Sequence, residues 1–160
     1  MGPEVWTALG VVLVVVLVFV LFFRKEKGFY PASKLIIEDP PISHNGLEAG
    51  QARFMMFYTT WCPWCKKAQA PWRSFKQSLK NTPVEYGGYK VRMEEINAEM
   101  DKGKSALYKV KAYPTFKLET IDKVISFQGV PDPLTFDAFL TAALGSKTSS
   151  SSPGTTEGTS

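Results

Sequence analysis

The chain has 160 residues, of which 44% are hydrophobic, 21% charged and 13% aromatic. This composition excludes an intrinsically disordered chain, and the length excludes a large multidomain enzyme. The net charge is +4, and residues 34–145 carry 15 basic and 12 acidic side chains, a balance too even to indicate a nucleic-acid-binding protein. Two cysteines are too few for a small secreted protein held together by a disulfide framework.

A membrane anchor is predicted after a short N-terminus of residues 1–4. Residues 5–23 carry no charge and include eight valines. Nineteen helical residues rise about 28 Å, which is close to the thickness of the hydrocarbon core of a bilayer. No basic residue precedes this run, and no small residues end it, so a single transmembrane signal anchor is favoured over a cleaved signal peptide.

Basic residues follow the predicted span and open a tether over residues 24–33. Arg24, Lys25 and Lys27 come directly after the apolar run. Cytoplasmic flanks of membrane spans are enriched in Lys and Arg. The sequence therefore predicts a single-pass protein whose following domain lies on the cytoplasmic side.

Strand-like and helix-like patterns alternate over residues 34–145, which is typical of an α/β domain. Residues 34–37 form a short β-rich run, and the prolines and Gly46 that follow indicate a loop with little helix. Arg53 to Thr59 is nearly continuous in apolar character, so we predict a strand at the centre of the sheet. A helix is predicted to start at Cys62, with an apolar stripe formed by Cys65, Ala68, Trp72, Phe75 and Leu79.

The second half of the domain is predicted to contain further strands and two helices. Residues 84–96 have strand character broken by Gly87 and Gly88, and residues 99–110 indicate a polar helix. Residues 115–119 and 124–127 predict an antiparallel hairpin. Asp132 and Pro133 are typical of a helix start and Gly145 of a helix end. Residues 146–160 contain ten Ser or Thr and are predicted to be a disordered tail.

The pair Cys62 and Cys65 carries the predicted chemistry. A Cys-x-x-Cys that opens a helix places its first sulfur beside unpaired backbone N–H groups, where a thiolate is favoured. Cys62 is therefore the candidate nucleophile, and Cys65, three residues later, is the candidate resolving thiol. Two inert buried thiols or half of a metal site remain as alternatives, although one histidine, His44, and two cysteines do not supply a tetrahedral set of Cys and His ligands. No metal and no cofactor beyond a redox-active disulfide is predicted.

At this point a family resemblance becomes specific. Residues 57–66, Phe-Tyr-Thr-Thr-Trp-Cys-Pro-Trp-Cys-Lys, resemble the active-site stretch of the thioredoxin and protein disulfide isomerase family. Residues 113–115, Tyr-Pro-Thr, resemble that family's second mark, and Gly129 resembles its following glycine. The resemblance covers about residues 34–144 and implies a thioredoxin-like fold, a central mixed sheet flanked by helices. It also implies a cis Pro114, with the Tyr113 backbone offered to an extended substrate chain.

One residue departs from the family pattern, and two tryptophans are candidates for contact with a partner. Met56 stands where the family usually has a buried acidic residue beneath the cysteines. Trp61 and Trp64 lie next to the cysteines in sequence and could form an apolar rim for a partner peptide, whereas Trp72 lies on the apolar stripe and is expected in the core. Protein disulfides are favoured over glutathione as substrate, because no Thr-Val-Pro followed by Gly-Gly accompanies the cysteines.

Two functions follow from these patterns. The first is a membrane-anchored thiol–disulfide oxidoreductase that exchanges disulfides with protein partners through Cys62 and Cys65. The second is a thioredoxin-like adaptor or structural membrane protein with little catalytic activity, in a cellular endomembrane or in the particle of a large DNA virus. Protein thiols and disulfides are the expected partners, and a reductase, capsid or membrane partner is not identified by the sequence.

Overall fold

The computed structural model describes Val16 and residues 35–43, 45–82 and 84–149. The predicted membrane span over residues 5–23 lies outside the described residues apart from Val16, as do the predicted tether over residues 24–33 and residues 150–160 of the predicted tail. Within the described part of the chain, no helix has both the length and the apolar character needed to cross a bilayer.

The described residues form one seven-stranded mixed sheet and three helices. The sheet order is β1-β6-β5-β2-β4-β3-β7, with β2 and β4 parallel and every other neighbouring pair antiparallel. The strands are β1 (Ile36–Asp39), β2 (Gln51–Tyr58), β3 (Val84–Tyr86), β4 (Tyr89–Asn97), β5 (Thr115–Glu119), β6 (Val124–Phe127) and β7 (Lys147–Ser149). The helices are α1 (Pro63–Asn81), α2 (Lys102–Leu107) and α3 (Pro133–Leu144). The predicted central position of β2 is confirmed, because three strands lie on either side of it.

The larger core lies between the sheet and the helices α1 and α3. Phe54 and Met56 of β2 face this core, where they meet the predicted stripe of α1. Phe136 of α3 lies at its centre and has its ring centroid 5.2–5.7 Å from those of five other aromatic residues, Phe54, Trp72, Phe75, Phe116 and Phe127. Trp72 is fully buried, which confirms its predicted place in the core. Alternation along β2 then sends Met55 and Phe57 to the opposite face.

The opposite face of the sheet is less apolar and contains a buried carboxylate. Glu119 is fully buried and accepts a hydrogen bond from the Tyr108 hydroxyl at 2.6 Å. The Arg53 guanidinium lies 3.4 Å from the same carboxylate oxygen. Burial raises the pKa of Tyr108, and its hydrogen bond to Glu119 raises it further. Tyr108 follows α2, so this network attaches α2 to the central strands.

Several predicted boundaries differ from the structure. The first strand is Ile36–Asp39 rather than 34–37, because its pairing with β6 extends to Asp39. The polar helix begins at Lys102 rather than at residue 99, because the Asp101 carboxylate accepts from the Lys104 N–H and caps the helix there. It ends at Leu107, shortly before Lys109 adopts a positive φ of 52°.

The sheet also continues past Gly145, which is the predicted end of the domain and is followed by the predicted tail. Gly87 has a φ of 56° in the turn between β3 and β4, and its N–H donates to the Ser146 carbonyl at 2.9 Å. A Cβ on Gly87 would lie 1.9 Å from the Leu144 carbonyl oxygen. The close approach of this turn to the end of α3 leads the chain into β7, which pairs with β3.

Candidate functional site

Cys62 lies where β2 leads into α1. It has extended backbone angles and is the N-cap of α1, with Pro63 at the first helical position. The helix therefore starts where the sequence predicts. Proline suits this position, because the first N–H groups of a helix have no partner within it. The Cys65 N–H donates to the Cys62 sulfur at 3.3 Å, which is the backbone contact expected for a sulfur at a helix start.

Cys65 lies one turn inside α1 and is fully buried. Burial, followed by the hydrogen bond with Cys62, raises the pKa of the Cys65 thiol to about 11, although a backbone hydrogen bond with Thr59 opposes these effects. Cys65 therefore keeps its proton at neutral pH. The two sulfurs occupy different environments, since only Cys62 lies at the end of the helix.

The Tyr113–Pro114 peptide bond is cis, as the family resemblance implies. The Cys62 thiol donates to the Tyr113 carbonyl oxygen across a distance of 3.5 Å. Thr115, the next residue, begins β5 beside the central strand. The structure thus brings Cys62 against the Tyr113–Pro114 segment, 51 residues away along the chain.

A groove of about 440 Å³ runs along this segment. Its lining is largely apolar and comes from the first turns of α1, the cis-proline segment and the end of β6. The lining residues are Trp64, Lys67, Ala68, Tyr113, Pro114, Phe116, Phe127, Gly129, Val130 and Pro131. Trp64 is 66% exposed and Val130 60% exposed, so both offer apolar surface to solvent. Three of the four predicted partner-binding residues, Trp64, Tyr113 and Pro114, therefore line one groove.

Trp61, the fourth predicted partner-binding residue, lies outside this lining. Its ring stands edge-on to that of Tyr113, with the centroids 6.4 Å apart, and it is 66% exposed. The loop that carries it is held by Glu99, whose carboxylate accepts from the N–H of Thr60 at 2.6 Å and from its hydroxyl at 2.7 Å. These hydrogen bonds lower the pKa of Glu99. Sequence reasoning assigned Glu99 to a helix and missed this role, because the contact joins residues 39 positions apart.

Lys67 is a second residue that sequence reasoning did not place at the site. Its Nζ lies 4.6 Å from the centroid of the Trp64 ring. Residues three apart on a helix are neighbours, so the spacing of Trp64 and Lys67 was a signal for this contact. Its position at the groove, however, depends on how α1 packs against residues 113–131.

Met56 is fully buried on the face of β2 that packs against α1. It is paired in register with Phe116 on one side and Glu95 on the other. The Glu95 carboxylate lies 3.6 Å from Lys76 Nζ.

Within the described residues, no group of three or more His, Cys, Asp or Glu side chains is arranged to hold a metal ion.

Comparison with known proteins agrees with this arrangement. The family model described as Thioredoxin matches residues 46–141, more than half of the chain. No curated protein matches the sequence. Among solved structures, the J-Trx1 fragment of ERdj5 is similar with 18% identity and a TM-score of 0.51, covering 61% of this chain and 44% of that one. The first two thioredoxin domains of Naumovozyma dairenensis Eps1p give 17% identity and a TM-score of 0.51, covering 64% and 39%.

Fasciola hepatica thioredoxin is also similar, with 16% identity and a TM-score of 0.47, covering 57% of this chain and 80% of that one. The chain spans less than half the length of the ERdj5 fragment and of the Eps1p fragment. At these identities the likeness to the ERdj5 and Eps1p fragments shows the fold alone. The family match over residues 46–141 shows the relationship. The chain therefore belongs to the thioredoxin family, and its thioredoxin-like domain carries a Cys-x-x-Cys pair of the kind that suggests thiol–disulfide oxidoreductase chemistry.

Proposed function

We propose that this protein is a membrane-anchored thiol–disulfide oxidoreductase that exchanges disulfides with protein partners through Cys62 and Cys65. The observation that carries the proposal is the position of Cys62. Its sulfur caps α1, accepts the Cys65 N–H and lies against the Tyr113 carbonyl at the edge of an apolar groove. The groove supports a polypeptide partner, because its lining is largely apolar and includes Tyr113, whose carbonyl the Cys62 sulfur contacts.

The exchange has two steps. In the first, the Cys62 thiolate attacks one sulfur of a partner disulfide, that disulfide breaks, and the other partner sulfur leaves as a thiolate with the electron pair. In the second, Cys65 attacks the Cys62 sulfur, and the proton that Cys65 gives up passes to the partner sulfur that departs. The Cys62–Cys65 disulfide forms, and the partner leaves as a dithiol that has gained two electrons. The same steps in reverse oxidise a partner.

The direct test is reduction of insulin disulfides by the full-length protein in the presence of an external dithiol. We expect wild type to accelerate the precipitation of insulin B chains and Cys62→Ser to abolish this acceleration. The matched control is Ser74→Ala, a change of similar size on the exposed side of α1. Wild type that reacts no faster than Cys62→Ser would overturn the proposal.

Membrane anchoring is part of the same proposal and is supported by the uncharged run over residues 5–23 and the basic residues that follow it. Alkaline carbonate should leave the full-length chain in the membrane pellet. Protease added outside sealed cells should spare the domain until detergent is added, and acceptor sites for N-glycans placed after Ser149 should remain unmodified. Extraction by carbonate would overturn the anchor, and glycosylation would reverse the orientation.

The second candidate is a thioredoxin-like adaptor that docks partners with little exchange activity. Met56 favours it, because a fully buried thioether beneath the helix supplies no group that could accept the Cys65 proton. The insulin assay separates the two functions. An adaptor would capture partners in a manner that does not depend on Cys62 and would leave insulin intact.

A further inference from the structure

The groove beside Cys62 contains a single charged side chain. Of its ten lining residues only Lys67 carries a charge, and the others are apolar, aromatic, proline or glycine. Exchange between sulfurs does not require a cation at this position. The placement of Lys67 therefore bears on which partners the groove accepts.

The Lys67 ammonium is held at the groove and is available to a partner. It lies 4.6 Å from the Trp64 ring centroid, a contact that restricts its side chain. None of the ion pairs among the described residues includes Lys67. Asp132 follows the lining residue Pro131, but its carboxylate accepts from the Leu134 N–H at 2.9 Å as the cap of α3. Lys67 is thus the one charged side chain in the groove lining, and the nearest acidic residue in sequence to that lining, Asp132, is engaged as a helix cap.

Apolar surface surrounds this cation. The exposed rings and side chains of Trp64 and Val130 border a space of about 440 Å³, within the range of pockets that take a bulky group. The Cys62 sulfur contacts Tyr113, which lines the same space. A partner whose cysteine reaches Cys62 therefore places its neighbouring residues in the groove.

We infer that the groove selects partner segments that carry a bulky apolar residue and an acidic residue beside the reacting cysteine, with Lys67 as the residue that sets the charge preference. This inference rests on the proposed exchange at Cys62. An exposed ion pair of this kind changes a rate constant by about 1.5- to 5-fold, and it weakens as salt screens the charges. The preference is therefore modest for one residue, but it has a definite sign.

The test uses synthetic peptides whose only cysteine is joined by a disulfide to 5-thio-2-nitrobenzoate. Cys62 of the reduced full-length protein, in detergent, attacks the peptide sulfur, and the coloured thiolate leaves with the electron pair. Three peptides share a leucine next to the cysteine and differ only in a Glu, Gln or Lys two residues from it. Both sequence orders are made. Wild type should react about 1.5- to 5-fold faster with the Glu peptide than with the Gln peptide in at least one order, and the Lys peptide should be the slowest.

Variants of Lys67 then assign the preference. Lys67→Arg should retain it, Lys67→Gln should remove it, and Lys67→Glu should make the Lys peptide the fastest. The matched control is Lys66→Glu, which makes the same change in charge at an exposed neighbour outside the groove lining. The ratio of rates between peptides is compared within each variant, so a general change in thiol reactivity cancels.

The possible outcomes separate this inference from the function on which it rests. Reaction with no peptide would overturn the proposed exchange itself. Reaction with equal rates for the three peptides, or a preference that Lys66→Glu changes as much as Lys67→Glu, would overturn the role of Lys67 while leaving exchange intact. A peptide preference that is inverted by Lys67→Glu but not by Lys66→Glu, and that disappears at about 1 M salt, would establish the role of Lys67.

Discussion

The two cysteines are predicted to react at very different rates, and this asymmetry distinguishes an exchange enzyme from a docking module. In the reduced protein, Cys62 should be alkylated rapidly near neutral pH, because its sulfur lies at the helix start and contacts the Cys65 N–H. Cys62 is itself only 4% exposed, so the contrast comes from the thiols: burial and the hydrogen bond with Cys62 raise the pKa of Cys65, which should therefore be alkylated slowly.

The size of the expected difference in alkylation rate follows from the pKa of the Cys65 thiol. Burial, followed by the hydrogen bond with Cys62, raises its pKa from 9.0 to about 11. At pH 8, about one Cys65 in a thousand is then a thiolate, against about one in ten for a thiol with the lower value. The alkylation rate of Cys65 should therefore rise about tenfold per pH unit from pH 7 to 9.5 with no plateau. In Cys62→Ser the contribution from Cys62 is lost while burial remains, so Cys65 should react faster than in wild type but still slowly.

The assay combines alkylation with partner capture. Single-cysteine variants are treated with iodoacetamide across this pH range, the labelled fraction is measured by mass spectrometry, and circular dichroism confirms that the fold persists. In parallel, Cys65→Ser should accumulate mixed disulfides through Cys62, visible on non-reducing gels and released by an external thiol. Cys62→Ser should accumulate almost none.

The reasoning would be refuted by a specific result. If both cysteines are alkylated equally slowly above pH 8 and neither variant captures a partner, the sulfur at the start of α1 is not activated. The adaptor function would then stand.

Three further predictions concern two buried side chains, Met56 and Tyr108, and the turn residue Gly87. Met56→Glu should speed exchange, because a carboxylate beneath the helix can accept the Cys65 proton, while burial of that carboxylate lowers the unfolding free energy by about 2 kcal/mol or more. Met56→Gln should lose stability without any gain in exchange rate. An unchanged exchange rate and melting temperature in Met56→Glu would contradict this prediction. Tyr108→Phe should lower the unfolding free energy by about 1–3 kcal/mol, because it removes the 2.6 Å hydrogen bond to the fully buried Glu119, and a denaturant midpoint equal to wild type would argue against it. Gly87→Ala should be more destabilising than Gly88→Ala. Both glycines have a positive φ, but only at Gly87 would the new Cβ meet another backbone segment. Equal shifts in melting temperature for the two variants would count against this packing argument.

The features that sequence predicted well are those fixed by burial over a continuous stretch. The apolar run of β2 packs on both faces of the sheet, and the α1 stripe from Cys65 to Phe75 is buried as its spacing indicates. The caps of α3, Asp132 and Gly145, also lie where their local chemistry places them. In each case the deciding interaction is within a few residues or repeats at a regular interval.

The features that sequence missed depend on contacts between distant segments. The polar residues of β7 do not indicate a strand. This segment lies in the sheet because the Gly87 N–H binds the Ser146 carbonyl after α3 and β7 pairs with β3. Glutamate is a good helix former, so the local sequence favours a helix at Glu99, and the hydrogen bond with Thr60 exists only in the folded chain. Lys67 belongs to a regular basic helix face, and only the packing of residues 113–131 against α1 makes it part of the groove.

The positions of β1 and β7 at opposite edges of the sheet have a practical consequence for labelling. Six strand spacings separate them, about 29 Å along the sheet. The groove draws part of its lining from the end of β6, the neighbour of β1, so it lies toward the first of these edges. A fluorophore or affinity handle joined directly after Ser149 would start from the far edge, where it would leave the approach to Cys62 clear. Paired with a second dye on β1, it would also report by energy transfer on whether the sheet keeps its full width.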